Sequence, residues 1–416
     1  MLRLLAASLL LGRAEVAGDD MGLLHARLFA KYLGAACNSP TTCDSAHNAM
    51  ETQSPDGSWA TVDYTTRRQD AWPAIAHWSR VCELARAAQC PACQGRSPGF
   101  PTQHALAERA RLGIDFWLRR DPRDNGTQGN WWWDVIAVPQ SVSQAFILLL
   151  NTSVLGPAEL AGGDAILARA DWTQQTGENQ VWCLRTGGIN RGVLSRNGSL
   201  VSAAFAAAWS QLQVQPLATS THCLSPACAN ADCCDGLQKD LSFHQHGPLL
   251  QSAAYGAGFM QDLLDFVALA AQTRWAVAQE PLSLLADFLI KGQSLMMRTG
   301  AGVLNATWHI PPLDREIGRP PGGPTALDAP ALAQQVETSM LRSPLSADRV
   351  AALKRWTAQL RGESPPLPAT RHFVNSDYTV HQRPRFTMDL RMYSRRTFNS
   401  ECGNTRINVG GILPRV

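Results

Sequence analysis

Runs of apolar residues at helical spacing recur along most of this 416-residue chain. The runs cover residues 22–33, 72–88, 104–119, 139–150, 157–170, 199–213, 259–277, 281–298 and 347–361. Polar or turn-rich stretches separate them, among them residues 34–70, 171–180, 214–247 and 299–330. Such alternation of helix and loop is typical of an all-helical array closed into a ring or solenoid, and it disfavours a sheet protein.

The pattern changes after a proline-rich segment, Glu363-Ser-Pro-Pro-Leu-Pro368, which we interpret as a linker. Short β-type runs follow at residues 372–374, 379–381, 385–393 and 406–409, with apolar residues alternating from Phe386 to Met392. These strands are too few to bury a core alone. We therefore expect a helical domain over residues 19–362, a linker over 363–369, and the beginning of an incomplete β-rich domain over 370–416.

The N-terminus has the features of a secretory signal peptide within residues 1–18. Arg3 precedes an apolar run from Leu4 to Leu11, and Gly12-Arg13-Ala14 offers a cleavage site. Glycosylation sequons begin at Asn125, Asn151, Asn197 and Asn305. These features predict a secreted, extracellular glycoprotein.

Eleven cysteines agree with an oxidising compartment. The clusters are Cys37 and Cys43; Cys82, Cys90 and Cys93; and Cys223, Cys228, Cys233 and Cys234, while Cys183 and Cys402 stand apart. We interpret the clusters as local disulfides. The alternative is a zinc site, with Cys90 and Cys93, or His222 and its cysteine neighbours, as ligands. The odd number leaves at least one cysteine unpaired.

Composition also excludes some partners. The net charge is only +3, so we expect no nucleic-acid partner. No stretch reaches about 18 apolar residues without charge, so we expect no membrane span. Thirteen tryptophans are present; tryptophan rings stack on the apolar faces of sugars, but they also fill cores, which is the default for most of them.

Residues 240–259, with the sequence DLSFHQHGPLLQSAAYGAGF, contain two histidines and, nine residues after His246, a tyrosine, Tyr255. Residues nine apart lie on opposite faces of a regular helix. A joint role for His246 and Tyr255 therefore requires an interruption, which Gly247 and Pro248 favour. An imidazole and a phenol form a candidate general acid and base pair. The alternative is a pair of structural histidines and a core tyrosine.

Four further motifs accompany this stretch. The first, Asn130-Trp131-Trp132, follows a polar loop, and the second, Thr176-Gly177-Glu178-Asn179, has the composition of a polar turn. The third is the pair Arg315 and Arg319, which share a face if the segment is helical. The fourth is the segment Ser394–Asn404, which contains Glu401. In order and spacing, from about residue 100 to 411, the set resembles polysaccharide lyase family 8, the hyaluronate, chondroitin AC and xanthan lyases. Each motif is weak alone and the set is strong. The resemblance implies a mainly α fold, an incomplete (α/α) toroid followed by the start of a β-sandwich domain.

The resemblance also implies a role for each site residue. Asn179 corresponds to the asparagine that binds the uronate carboxylate, and His246 and Tyr255 to the catalytic histidine and tyrosine. Arg315 and Arg319 correspond to the arginines near the cleavage point. Glu401 and Asn404 correspond to the acidic residue and the asparagine that the β domain donates, and Asn130, Trp131 and Trp132 to the patch on which substrate stacks.

These residue types suit β-elimination from an acidic polysaccharide such as hyaluronan, chondroitin or xanthan. The enzyme removes the C5 proton of a uronic acid and expels the C4 oxygen, while hydrogen bonds offset the charge that builds on the carboxylate. Tyr255 is one candidate base, if Arg315 lowers its pKa, and His246 is the other. The reaction requires neither a metal nor an organic cofactor, and we expect a monomer.

Some features depart from the family. Leu241 stands where the family often has glycine, and the cysteine-rich segment 223–234 is not part of its pattern. The family usually continues for several hundred residues of β structure, so the alternative function is a glycan-binding remnant without turnover. A hydrolase would need two carboxylates about 5–10 Å apart. Glu178 and Glu401 are the evident acids, and replacing Glu178 by glutamine should abolish a hydrolase but spare much of a lyase.

Overall fold

The computed structural model describes residues 19–34, 37, 39–66, 72–93, 100–120, 131–215, 235–303, 306–308, 327–392, 394 and 397. The helices within these residues are α1 (Asp20–Leu33), α2 (Pro40–Glu51), α3 (Ile75–Gln89), α4 (Gln103–Arg120), α5 (Val138–Leu149), α6 (Pro157–Leu167), α7 (Gly177–Cys183), α8 (Arg191–Leu194), α9 (Gly198–Ser210), α10 (Tyr255–Ala270), α11 (Gln279–Asp287), α12 (Ala329–Ser339) and α13 (Ala347–Leu360). π-Helical segments extend this framework at Trp133–Ala137, Leu184–Asn190 and Phe288–Gly292. The structure confirms the predicted mainly α fold.

The first helix connects the two halves of the helical array. Leu24 and Leu28 are fully buried on its inner face, and α1 packs against both α5 and α10. Arg27 donates hydrogen bonds of 2.6 Å to the carbonyl oxygens of Leu269 and Ala271, at the end of α10. A cation that binds the last carbonyls of a helix stabilises that end of it. The sequence at 20–33 thus fixes the position of the helix that begins at Tyr255.

Two large hydrophobic cores fill the described part of the array, and a small third cluster of Ile136, Ala170 and Cys183 lies against Trp132 and Trp182. One lies among α2 to α6, and the other extends from α7 to α13 and includes residues of the C-terminal sheet. A cluster of charged residues is buried beside the second core, where Arg185 pairs with Asp262 and Asp265 and lies 4.9 Å from the ring of Phe266. Lys31 of α1 also pairs with Asp265. Because removing one member of such a cluster leaves a buried charge unpaired, the cluster fixes α1 and α10 in one arrangement.

In the first two cysteine clusters the disulfides differ from the expected local ones; Cys223, Cys228, Cys233, Cys234 and Cys402, and the alternative zinc ligand His222, lie outside the described residues. Cys37 pairs with Cys90 and Cys43 with Cys93, so each bond joins the first cysteine cluster to the second. The zinc alternative for Cys90 and Cys93 is therefore wrong. Cys82, the third cysteine of the second cluster, is buried and unpaired. Sequence spacing failed here because α2, which brings Cys43 to the end of α3, was not foreseen.

Several expectations about element boundaries also need correction. Residues 34–70 were expected to be turn-rich, but they contain α2. Residues 171–180 were expected to be a loop, but α7 begins at Gly177 with Thr176 as its N-cap. The helix expected over 259–277 begins at Tyr255 and ends at Ala270, and α12 was not expected.

Short strands complete the fold. Hairpins form from β1 (Gly236–Leu237) with β2 (Phe243–His244) and from β3 (Met297–Arg298) with β4 (Thr307–Trp308). The antiparallel sheet β5 (Ala369–Phe373), β6 (Tyr378–Arg383) and β7 (Phe386–Arg391) confirms the change to β structure after the proline-rich segment. The fourth predicted strand, 406–409, lies outside the described residues. No helix among the described residues is long and apolar enough to span a membrane.

The C-terminal sheet contacts the helical part next to residues 240–259. Phe373, Tyr378 and Val380 are buried in the second core. Arg371 donates hydrogen bonds of 2.6 Å to the carbonyl oxygens of Lys291 and Asp240. The sheet therefore packs against the segment that carries His246, with no helix between them.

Candidate active site

His246 and Tyr255 lie side by side. Their ring centroids are 4.8 Å apart, with the rings at 69° to each other. The backbone between them is not helical: His246 has a φ of +62°, Gly247 a φ of +90°, and α10 begins only at Tyr255. The predicted interruption is therefore confirmed, and it brings an imidazole and a phenol together at the N-terminus of a helix.

A row of aromatic rings continues from this pair. The ring of Trp182 lies 5.8 Å from that of Tyr255, and the ring of Trp132 lies 6.2 Å from that of Trp182. Trp132, Trp182 and Tyr255 are all half-buried, and Trp131 is 45% exposed. Tryptophan side chains that remain partly exposed can stack against a sugar. The row extends the predicted pair Trp131 and Trp132 as far as the His246–Tyr255 pair.

Asn179 lies in the first turn of α7, three residues before Trp182, so the two side chains share a helix face. Asn179 is only 6% exposed, and its Oδ1 is buried without a hydrogen-bond partner. Rotation of the amide by 180° exchanges its oxygen and nitrogen, so the same position can present an N–H donor. A buried amide end without a protein partner is suited to bind a ligand.

Glu178 points away from the solvent. It is fully buried, and its Oε1 lies so near Gly258 that a Cβ there would be 2.6 Å away. Burial, together with the negative charge of Asp262, raises the pKa of Glu178 well above its usual range. A side chain with no exposed surface cannot face the substrate, so Glu178 is unsuited to be one of the two carboxyl groups that a glycoside hydrolase requires.

Two buried residues that sequence analysis missed connect these parts. The Asp235 carboxylate accepts a 2.6 Å hydrogen bond from the Gln245 side chain and a 2.9 Å hydrogen bond from the hydroxyl of Thr176. Gln245 in turn accepts a 2.9 Å hydrogen bond from the backbone N–H of Glu178. Trp182 was also missed. Trp182 lies three residues after Asn179, and this spacing places both side chains on one face of a helix. The spacing is informative only if Gly177–Cys183 is recognised as a helix.

The structure thus brings Asn179, His246, Tyr255, Trp131 and Trp132 to one region of the described fold. The remaining predicted site residues lie outside the described residues; they are Asn130, Arg315, Arg319, Glu401 and Asn404. Within the described part of the chain, no three His, Cys, Asp or Glu side chains are grouped in a way that would hold a metal ion. The arrangement offers a proton-transfer pair, an amide donor and an aromatic platform.

Comparison with known proteins agrees with this geometry. The model of the polysaccharide lyase family 8 N-terminal α-helical domain matches residues 29–304, and that of the family's super-sandwich domain matches residues 368–414. The chain belongs to polysaccharide lyase family 8. The family resemblance drawn from the spaced motifs is therefore confirmed.

Individual members of polysaccharide lyase family 8 are more distant. Chondroitinase-AC of Pedobacter heparinus is 24% identical over 370 residues, which are 88% of this chain and 48% of that enzyme. The chain thus spans about half the length of this relative.

Solved structures share the fold. A chondroitinase AC lyase structure has a TM-score of 0.76 at 21% sequence identity. The match covers 93% of this chain and 52% of the chondroitinase chain. The Streptomyces coelicolor A3 chondroitin AC lyase in complex with chondroitin sulphate has a TM-score of 0.63 at 20% identity, and the match covers 93% of this chain and 55% of that lyase chain. A Paenibacillus xanthan lyase has a TM-score of 0.61 at 17% identity, and the match covers 89% of this chain and 36% of the xanthan lyase chain. The likeness confirms the (α/α) toroid.

Proposed function

We propose that this protein is a polysaccharide lyase that cleaves a uronic-acid-containing polysaccharide, such as chondroitin, hyaluronan or xanthan, by β-elimination. The observation that carries the proposal is the contact between His246 and Tyr255, with centroids 4.8 Å apart, in a member of polysaccharide lyase family 8. The chondroitin and xanthan lyases whose fold it shares support the substrate class.

Asn179 donates a hydrogen bond to the substrate carboxylate in this proposal. Removal of the C5 proton develops negative charge beside an existing carboxylate, and a hydrogen-bond donor placed there lowers the barrier. The buried end of the Asn179 amide without a protein partner supports this role. The roles inferred from the sequence for Asn130, Arg315, Arg319, Glu401 and Asn404 remain part of the proposal.

Tyr255 is the base that we favour, and His246 orients it. Tyr255 is the first residue of α10, and the N-terminus of a helix carries partial positive charge that stabilises a nearby anion such as a phenolate. The phenolate takes the C5 proton, electrons form the C4–C5 double bond, and the phenol returns the proton to the departing C4 oxygen. No bond to the enzyme forms.

Sugar rings stack on the aromatic row in this proposal. Trp132 and Trp182 lie on the same side of Tyr255 in the row, so a chain of sugars bound along them reaches the proton-transfer pair. Trp182 would contact a sugar close to the scissile linkage, since it touches Tyr255.

We also infer the division of the chain and its location. The last helix ends at Leu360 and the sheet begins at Ala369, which supports a helical domain over residues 19–362, a linker over 363–369 and a β domain from residue 370. The paired cysteines support an oxidising, extracellular location, together with the signal peptide and the glycosylation sequons inferred from the sequence. We further propose that the protein acts as a monomer.

The test is ultraviolet absorbance with chondroitin, hyaluronan, xanthan and alginate, because the new C4–C5 double bond absorbs and a hydrolysis product does not. We expect absorbance growth on at least one of the four. Tyr255→Phe should lower the rate by about 100- to 10,000-fold, the usual contribution of a general acid and base. Tyr64→Phe, which removes a phenol hydroxyl bonded to His77, is the matched control and should retain the rate.

A flat trace with folded protein on every substrate would reject the lyase. Binding of the same polysaccharides without absorbance growth would then identify a glycan-binding protein. New reducing ends without absorbance growth would identify a hydrolase.

A further inference from the structure

Asp235 is a buried carboxylate between the two parts of the active site. It is 4% exposed. Its Oδ2 accepts hydrogen bonds from the Gln245 side chain at 2.6 Å and from the Thr176 hydroxyl at 2.9 Å, and its Oδ1 accepts one from the backbone N–H of Gly247 at 2.8 Å. One of these donors belongs to the residue that caps α7, and the other two flank His246.

Gln245 extends this connection to Asn179. Its Oε1 accepts a 2.9 Å hydrogen bond from the backbone N–H of Glu178, the residue before Asn179. Gly177 packs so closely that a Cβ there would lie 2.2 Å from the same oxygen, and its φ is +54°. The side chain of Gln245 therefore fits tightly against the first turn of α7, and that turn positions Asn179.

His246 needs such support because its backbone conformation is unfavourable. A φ of +62° is rare for a residue other than glycine and persists only where the surroundings enforce it. Both neighbours of His246 are bonded to Asp235, one through its side chain and one through its backbone N–H. The same carboxylate thus holds the conformation that places the imidazole 4.8 Å from the ring of Tyr255.

We propose that Asp235, together with Gln245, is a positioning residue that holds the carboxylate-binding Asn179 and the proton-transfer pair His246 and Tyr255 in register. This inference rests on the proposed lyase function for its catalytic consequence. Asp235 touches neither substrate nor reacting atoms in this scheme. It acts because both oxygens of the carboxylate accept hydrogen bonds, whereas an amide of the same size has only one acceptor oxygen.

Asp235→Asn tests the role of the charge and of the second acceptor. The substitution keeps the side-chain volume but turns an NH₂ group toward an N–H or O–H donor. We expect kcat to fall about 10- to 100-fold, the effect of a small displacement of catalytic groups, with KM changed less than threefold. Asp287→Asn is the matched control, because it removes a carboxylate paired with Arg349 and Lys291 outside this network. It should leave kcat unchanged.

Gln245→Met provides a second variant that keeps the volume and leaves Asp235 in place. If the two residues act as one unit, the double variant should lose about as much kcat as the more impaired single variant. If the losses of kcat in the two single variants added up in the double variant, Asp235 and Gln245 would act separately, and the shared role would be overturned. Melting curves by circular dichroism establish that each variant is folded under the assay conditions.

A readout without turnover separates this inference from the proposed function. In ¹H–¹³C spectra, the imidazole resonance of His246, assigned by its loss in His246→Asn, should move in Asp235→Asn and stay in place in Asp287→Asn. Movement of the resonance with a flat wild-type absorbance trace would reject the lyase and retain the positioning role. An unmoved resonance and an unchanged kcat in folded Asp235→Asn would overturn the positioning role.

Discussion

Two residues other than glycine in the segment 240–259 adopt a backbone conformation that glycine adopts more readily. Leu241 has a φ of +69° and His246 a φ of +62°. The family resemblance leads us to expect glycine at position 241, and a positive φ is a conformation that glycine adopts without strain. A leucine in this conformation costs about 1 kcal/mol, since its Cβ crowds the backbone. The departure noted in the sequence is therefore local strain in a turn, and His246 and Tyr255 still meet.

At the scale of single residues, Trp182 gives a direct test of the aromatic row. We expect Trp182→Ala to raise KM about tenfold, because one stacking contact contributes about 1–1.5 kcal/mol. Trp182→Phe keeps a ring and should raise KM less than Trp182→Ala. Initial rates by ultraviolet absorbance over a range of polysaccharide concentrations measure the change.

The matched control for Trp182 is Trp209→Phe. Trp209 is also half-buried, but it lies on α9 and donates its indole N–H to the carbonyl of Trp275. It should leave KM unchanged. If Trp182→Ala lowered only kcat, with KM unchanged, the ring would orient Tyr255 and would not bind sugar.

Glu178 leads to a prediction with a defined pH dependence. Its folded-state pKa is raised, so its contribution to stability is fully present below about pH 4.5 and is lost as the pH rises toward the folded-state pKa. Glu178→Gln removes this loss because glutamine does not ionise. The variant should therefore gain stability relative to wild type as the pH rises from 4.5 to 8, as measured by urea unfolding.

Turnover of Glu178→Gln answers the question of mechanism. Glu178 is fully buried, so a lyase in which it does not touch the substrate should retain its kcat within about threefold. Removal of a general acid or base would lower kcat by about 100-fold or more. A fall of more than about 100-fold with folded protein would contradict the structure and restore the hydrolase.

At the scale of elements, π-helical segments begin next to the aromatic row. One starts at Trp133, directly after Trp132, and another at Leu184, two residues after Trp182. A π-helical turn is wider than an α-helical turn and is frequent at functional sites, since it changes the direction of the side chains that follow. The second segment makes a single helical run from Gly177 to Leu194 with its middle widened.

Gly187 permits the close packing of this widened segment. A Cβ at residue 187 would lie 2.1 Å from the carbonyl oxygen of Ala170, a backbone atom that cannot move aside. We expect Gly187→Ala to lower the free energy of unfolding by about 1–3 kcal/mol, the usual cost of overpacking. In the control, Gly198→Ala, the new Cβ would lie 3.2 Å from the flexible end of Arg274, and stability should stay within about 1 kcal/mol. Urea unfolding followed by circular dichroism distinguishes the two.

The same elements show why sequence periodicity found some helices and missed others. Helices α3, α4 and α5 have apolar residues at regular helical spacing and were predicted nearly to their ends. The run from Gly177 to Leu194 was not, because wide turns break the 3.6-residue period and Gly187-Gly188 resembles a helix break. Trp182 was missed for this reason. Asp235 was missed because its partners, Thr176 and Gly247, are distant in sequence.

At the scale of the whole molecule, the sequence predicted the change from helices to strands but not which face of the sheet is buried. Alternation of apolar residues predicts that β6 and β7 are strands, but it does not tell which face of the sheet packs against the helices. In the structure Tyr378 and Val380 of β6 face the helical core, whereas Phe386, Met388 and Leu390 of β7 are more than half exposed. The pairing of Val380 with Asp389 requires this, since paired residues share a face.

Two buried histidines make the stability of the whole fold depend on pH. His77 lies in the first core, where it contacts the carbonyl oxygen of Gly113 at 2.9 Å. His244 lies between the second core and the C-terminal sheet, where its Nε2 is 2.9 Å from the hydroxyl of Ser376. Burial lowers the pKa of each to about 4, against 6.5 when unfolded. Each pKa is depressed, so the stability that each contributes is fully present above about pH 6.5 and is lost as the pH falls toward 4.

The free energy of unfolding of the wild-type protein should therefore fall by about 2 kcal/mol per histidine between pH 8 and pH 5. Urea unfolding in steps of half a pH unit measures this fall. His244→Gln removes one of the two titrating groups, so its loss over this range should be smaller than that of wild type by about 2 kcal/mol, whatever its stability at pH 8. His104→Gln, at an exposed position on α4, should follow the wild-type curve. Parallel curves for His244→Gln and wild type would show that protonation of His244 does not weaken the contact between the helical core and the sheet.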